Sequence, residues 1–143
     1  MKILTILFFG PLLLFAEDIG TLSLTIKVDS LKNSDGVIQF AIYNNDNSIP
    51  DMKFEKCLKK GNAVIKEKSA TYTFESLEKG RYAVNILHDE NKNKKIDKGF
   101  ILPKEGFGFS NYKSLGFFNR PNFKKSSFEL DTDSTITVLV NYL

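Results

Sequence analysis

Apolar and polar side chains alternate in several separate runs of the chain after its first twenty residues. Leu22, Leu24, Ile26 and Val28 fall on one face of an extended segment, with Ser23, Thr25 and Lys27 opposite, the period-two pattern of a half-buried strand. Val37 to Tyr43 is similarly β-rich. The intervening "KNSDG" has the chemistry of a tight connection, so the spacing predicts a hairpin. From Asn44 to Lys60 polar residues and Pro50 leave few periodic apolar positions; the expectation is irregular chain with a short helix around Met52 to Lys59, capped by Asp51. Alternation returns in "AVIKE" and "ATYTF". After a turn at Glu78 to Gly80 comes a strong strand in which Tyr82, Val84, Ile86 and His88 share one face and Ala83, Asn85 and Leu87 the other. "SSFEL" and "TITVLVNYL" close the chain around the turn "DTDS".

These segments make about seven strands with little helix. The expected fold class is therefore all-β, a single Greek-key, immunoglobulin-like β-sandwich rather than alternating βαβ units. The start of the chain has a different character. In "MKILTILFFGPLLLFAEDIG" a positive Lys2 precedes the uncharged apolar run Ile3 to Phe15, and Ala16 is followed by Glu17 and Asp18, the layout of a secretory signal peptide. The run is shorter than the roughly 20 apolar residues of a membrane span, and Pro11 interrupts it. Leu14 is larger than a signal peptidase prefers, which leaves an uncleaved anchor as the alternative. The predicted organisation is a signal peptide over residues 1–16 and one sandwich domain over 17–143, with a periplasmic or secreted location and no transmembrane domain after cleavage.

Processing would leave 127 residues, enough for one core, and would remove Lys2, so that 19 basic residues face 17 acidic ones. Dispersed charge of this size gives no nucleic-acid footprint. Cys57 is the single cysteine, so the core must hold without an internal disulfide. It reads as an incidental thiol, with a nucleophile or an intermolecular bridge as the alternatives.

Two stretches carry candidate chemistry. In "HDENKNKKID", Asp89, Asn91 and Asn93 recur at alternate positions, the backbone oxygen of Lys95 is a possible fourth ligand, and Asp97 sits where a ninth-position ligand would. Calcium takes six to eight oxygens from such spacings. The twelfth position is Phe100 and no helices flank the loop, so an EF-hand is rejected. A looser calcium loop competes with lysines at 92, 94, 95 and 98; a Lys ~8 Å from a divalent ion costs on the order of 1 kcal/mol in water before screening. The other reading is a set of Asx turns leading the chain off a strand. His88 has no second histidine or nearby cysteine to complete a zinc or copper set; it is expected to cap the core and bond a carboxylate. No cofactor is firm, and calcium is the only candidate.

The second stretch, "GFILPKEGFGFSNYKSLGFFNRPNF", places seven aromatic residues in one connection. Some must be hidden, because soluble domains seldom expose so much contiguous apolar surface. Either it is a flap sealing the sandwich, or it lines a groove for a hydrophobic ligand, glycan or peptide, with Phe107, Phe109, Ser110, Asn111, Tyr112 and Arg120 as the contact residues. Its nearness in sequence to the polar run allows a joint site at one end of the sandwich.

"FESLEKGRYAVNILHDENKNKKID", "LPKEGFGFSN", "FNRPNFKKSSFEL" and the final "NYL" resemble, in order, the bacterial DUF2141 family of exported domains. The resemblance runs from Leu22 to Tyr142 and implies a small transthyretin-like, prealbumin-like sandwich. It brings no activity with it. Where that family usually has Gly after the second Asn, this chain has Lys94.

No Gly-x-Ser-x-Gly elbow, phosphate loop or zinc-protease helix occurs, so an enzyme, such as a hydrolase, is the weakest reading. The leading expectation is a non-enzymatic, monomeric exported module that binds a ligand or an envelope partner through its loop end. The alternative is a structural or assembly subunit that pairs through a sheet edge and takes no small-molecule ligand.

Overall fold

The computed structural model of the chain describes residues 21–94 and 105–143. The expected signal peptide, Lys95, Asp97 and Phe100 therefore lie outside the described residues. Among those described, eight strands form: β1 (Leu22–Val28), β2 (Val37–Tyr43), β3 (Lys59–Val64), β4 (Ala70–Leu77), β5 (Gly80–Asp89), β6 (Gly106–Phe109), β7 (Phe128–Leu130) and β8 (Ser134–Thr137). One short helix, α1 (Phe123–Ser126), precedes β7 and is capped by Asn122, whose side chain accepts from the Lys125 N–H. The first sheet has the order β4-β1-β8 and the second β3-β2-β5-β6, with β7 paired separately to the start of β5. The protein is a β-sandwich.

Alternation decides what each layer buries. Leu24, Ile26 and Val28 of β1 and Phe74 and Leu77 of β4 face Ile38, Phe40 and Ile42 of β2 and Tyr82, Val84 and Ile86 of β5 in the inter-sheet core. Each such side chain contributes roughly 1.5–3 kcal/mol by leaving water. The intervening residues of β2 and β5 are buried as well. Ala41, Tyr43, Ala83 and Leu87 form a second cluster on the outer face of their sheet, under Ile49, Phe54, Phe109, Tyr112 and Phe123. The aromatic segment is thus a cover over the second sheet.

Several expectations are corrected. β1 and β2 lie in different sheets, so "KNSDG" is a crossover between layers and not a hairpin turn. No helix forms over 52–59. Phe54 takes a positive φ of 54° there, incompatible with a continuing right-handed helix. The Asp51 carboxylate instead ties the loop together, accepting from the Tyr43 hydroxyl at 3.2 Å and the Lys56 N–H at 2.7 Å. The "AVIKE" strand begins earlier, at Lys59, because β2 offers a partner for each residue from Lys59 to Val64. β6 is the additional strand, formed where a loop was expected, with Phe107 opposite Leu87 and Phe109 opposite Asn85.

Two local devices lock the layers. The Tyr82 hydroxyl donates to the Glu78 carbonyl at 2.8 Å, four residues upstream, the tyrosine corner familiar in β-sandwiches. The last strand ends at Thr137, and the chain then leaves one sheet for the other. Val138 N–H donates to Lys27 O at 3.0 Å in the first sheet, while Asn141 and Phe107 exchange backbone hydrogen bonds of 2.8 and 3.0 Å at the edge of the second. Gly108 lets this crossing pass close, since a Cβ there would lie 2.1 Å from the Leu139 carbonyl oxygen. Gly108→Ala is accordingly expected to cost about 3 kcal/mol, because backbone overlap cannot be relieved by a rotamer change. Urea denaturation reads the loss, and hydrogen exchange should show the Asn141 amide losing protection first.

Candidate functional site

The polar run leaves β5 at Asp89, which is 1% exposed. Its Oδ1 accepts from the Asn93 N–H at 3.0 Å and its Oδ2 from the Lys94 N–H at 2.7 Å. Asn91 Oδ1 also accepts from Asn93 N–H at 3.0 Å. Lys92 and Lys94 both take positive φ, 59° and 65°, so the chain adopts at Lys94 the left-handed conformation that glycine would reach without strain. These are Asx turns closing on a carboxylate. Among the described residues no cluster of three or more His, Cys, Asp or Glu side chains could hold a metal ion. Asp89 is the one carboxylate of the expected ligand set that is described, and the turn backbone occupies both of its oxygens.

His88 is fully buried at the strand end. It does not bond a carboxylate. Its Nε2 lies 2.8 Å from the Asp35 backbone oxygen and its Nδ1 2.7 Å from the Tyr142 hydroxyl. A carbonyl only accepts, so Nε2 carries the proton and Nδ1 accepts from Tyr142, a tautomer assigned from the network. Tyr142 in turn accepts from the Lys32 N–H at 3.2 Å. Burial pushes the Tyr142 hydroxyl above its ordinary value, against the opposing pull of that N–H, which keeps it a donor. Neighbouring Gly36 has φ +72°, and a Cβ on it would fall 1.9 Å from Asp89 O. Cys57 donates to Phe54 O at 3.3 Å, and burial pushes its thiol up, which disfavours the nucleophilic thiolate.

β6 runs antiparallel to β5 and carries the aromatic segment back from His88 toward Val84, where Ser110 N–H meets Val84 O at 3.0 Å. The expected contact residues divide there. Phe109, Ser110 and Tyr112 are buried. Ser110 Oγ accepts from Val84 N–H at 2.9 Å and donates to Ser126 O at 2.6 Å, and Tyr112 donates to Arg120 O at 3.1 Å. Asn111 is exposed, but its amide donates to Ser127 O at 2.9 Å. Those four hold the cover in place. Phe107 and Arg120 line an open apolar hollow of ≈ 210 Å³ with Leu115, Phe117, Pro121 and Leu143. That volume suits one ring or branched chain, being smaller than the roughly 300 Å³ of a small drug site. Asp89, Asn91 and Asn93 are not among its lining residues.

Phe117, one of the hollow's lining residues, and its neighbour Phe118 are both outside the expected contact set and are 77% and 104% exposed. The sequence holds a signal for them, two adjacent aromatic residues between Gly116 and Asn119, where strict alternation can bury only one. The Arg120 guanidinium lies 5.8 Å from the Phe117 ring centroid.

The fold and this covering segment define an all-β sandwich with an aromatic outer layer over its second sheet. The profile of the family described as "Uncharacterized protein conserved in bacteria (DUF2141)" matches residues 26–137. The chain belongs to that family. No curated protein matches the chain, and no solved structure does.

The Asp89 geometry generates a measurable contrast. Asp89→Ala removes a buried acceptor of two backbone N–H groups and should cost about 3 kcal/mol in urea denaturation, equally with chelator and with millimolar calcium. The wild-type midpoint should be the same in both buffers. A calcium-dependent rise in that midpoint would show that the loop is a metal site, since a ligand bound to the native state alone stabilises it.

Proposed function

We propose that the protein is an exported, non-enzymatic binding module whose contact face is the apolar hollow lined by Phe107, Leu115, Phe117, Arg120, Pro121 and Leu143. One observation carries the reading. The other described aromatic residues of the segment are buried or half-buried against the second sheet, whereas Phe117, at the hollow's rim, and Phe118 are held largely in water. Exposed large apolar side chains around a concave apolar patch are what a recognition surface needs and what stability does not. Arg120 adds a cation at the rim, so the fitting ligand is an apolar group that carries a negative charge.

Export rests on the pattern of residues 1–16. The non-enzymatic part is supported by the commitments of His88 and Cys57, each hydrogen-bonded to a backbone carbonyl inside the fold, whereas catalysis calls for titratable groups converging on a cleft. A calcium ion in the His88–Asp97 loop is not required by this reading. Edge-to-edge assembly is the lesser reading, because β3 opens with Lys59 and Lys60 and β8 spans only four residues; charge and shortness both blunt an edge.

Titration with anilinonaphthalene sulfonate, an apolar anion, tests the proposal. Saturable fluorescence enhancement at one site is expected, weakened on the order of fivefold by Arg120→Gln and by Phe117→Ala. Both positions are exposed, so folding is spared. Absence of enhancement, or enhancement untouched by both variants, would remove the hollow as the contact face.

A further inference from the structure

The two exposed rings are presented by a braced turn. Asn119 N–H donates to Gly116 O at 3.1 Å, which places Phe117 and Phe118 at the two central positions of a β-turn. The Asn119 amide also donates to Ser114 O at 2.7 Å and closes the base of the loop. Lys113 and Arg120 flank that base on either side in sequence. From Gly106 to Phe128 there are four basic residues, Lys113, Arg120, Lys124 and Lys125, and no acidic one. The bordering acids are engaged elsewhere. Glu105 accepts from Glu90 N–H, Glu129 pairs with Arg81, and Asp131 pairs with Lys79. Asp46 and Lys124 line a separate hollow, and Lys113 and Arg120 are the basic residues nearest the turn in sequence.

We propose that this turn is a bilayer-docking tip, with Phe117 and Phe118 entering the headgroup zone of an anionic membrane and Lys113 and Arg120 meeting its phosphates. The inference rests on the loop-end binding reading and names its partner as a lipid surface. Charge complementarity carries the choice of lipid. A pair of exposed rings at a turn flanked by Lys113 and Arg120, with no acidic side chain from Gly106 to Phe128, matches an interface that is apolar beneath and negative above. A pocket on a protein would instead receive one anchored side chain surrounded by a sealing rim. Each cation near an anionic surface strengthens binding about fivefold, and each ring removed from water on the order of tenfold. One turn of this kind gives reversible, salt-sensitive attachment.

The protein contains no tryptophan, so Phe118→Trp makes residue 118 the sole indole reporter at a position where folding does not depend on the side chain. The full-length chain carrying this substitution is mixed with vesicles of phosphatidylglycerol and phosphatidylcholine, or of phosphatidylcholine alone. A blue-shifted emission quenched by lipids brominated on their chains is expected with the anionic vesicles. The binding should weaken several-fold with Lys113→Gln or Arg120→Gln added, and fade with salt. The apolar run Ile3 to Phe15 is common to all variants, and attachment through it alone would leave the emission at its aqueous position, which overturns the proposal. Equal shifts on both vesicle types without salt dependence overturn it too. If the emission stays aqueous while anilinonaphthalene sulfonate still enters the hollow, the lipid assignment falls and the binding module stands; if both fail, both fall.

Discussion

Burial of β2 and β5 on both faces is the constraint from which the rest of the structure follows. A sandwich needs its strands apolar on one side only, yet here Ala41, Tyr43, Ala83 and Leu87 on the outer side are as deeply buried as Phe40 and Ile86 on the inner. A sheet with two apolar faces must be covered twice. The first sheet covers one face. The connections between β2 and β3 and between β5 and β7 cover the other, which is why both are long and why Phe54, Phe109, Tyr112 and Phe123 sit in segments that would otherwise be solvated loops.

A cover made from irregular chain must satisfy its own backbone groups without a full ladder. The protein does this with short side chains aimed at main chain. Ser110 bridges Val84 of β5 to Ser126 at the end of α1, Asn111 holds Ser127, and Asp51 gathers Tyr43 and Lys56 under the other connection. At the far end of β5 the chain Lys32 N–H to Tyr142 to His88 to the Asp35 carbonyl ties three segments through one buried imidazole. His88 thus serves as a two-ended connector. Residues that a sequence suggests as ligands, a histidine and paired serine and asparagine, are the ones an irregular cover needs for itself.

Sequence periodicity revealed most of the strands but not their partners, and it ran the last one past Thr137, where β8 ends. β1 and β2 were legible to the residue because Leu22–Val28 and Val37–Tyr43 alternate cleanly or read as dense β formers. Their placement in different sheets was not legible, since a turn of "KNSDG" composition suits a crossover as well as a hairpin. β6 was hidden because Gly106 and Gly108 mark loops by composition, whereas here they admit Tyr142, Val140 and the Leu139 carbonyl into close contact. The expected helix failed because Asp51 is a better anchor for the folded-back loop than a cap. At the candidate site, Phe107 and Arg120 were legible as groove residues. Which aromatics stay in water was not, because exposure depends on which side of a turn the covering sheet lies.

That last distinction separates packed from exposed rings within one segment. Replacing Phe109 or Tyr112 would open the second cluster, so their identity is explained by packing alone. Phe117, which meets only the hollow's rim and Arg120, and Phe118, fully exposed, have no such explanation, for rings left largely in water add little to the folded state and raise the hazard of aggregation. Their turn is nevertheless braced by two hydrogen bonds and flanked by cations. Ordering a loop costs conformational entropy, and an exposed apolar tip that is also ordered gains little from packing, which is what supports the proposed lipid contact. The covering segment would allow the proposed contact beside its role as a cover: its ends are fixed in the second cluster by Phe109 and Phe123, so a surface meeting its middle would leave the sandwich beneath undisturbed.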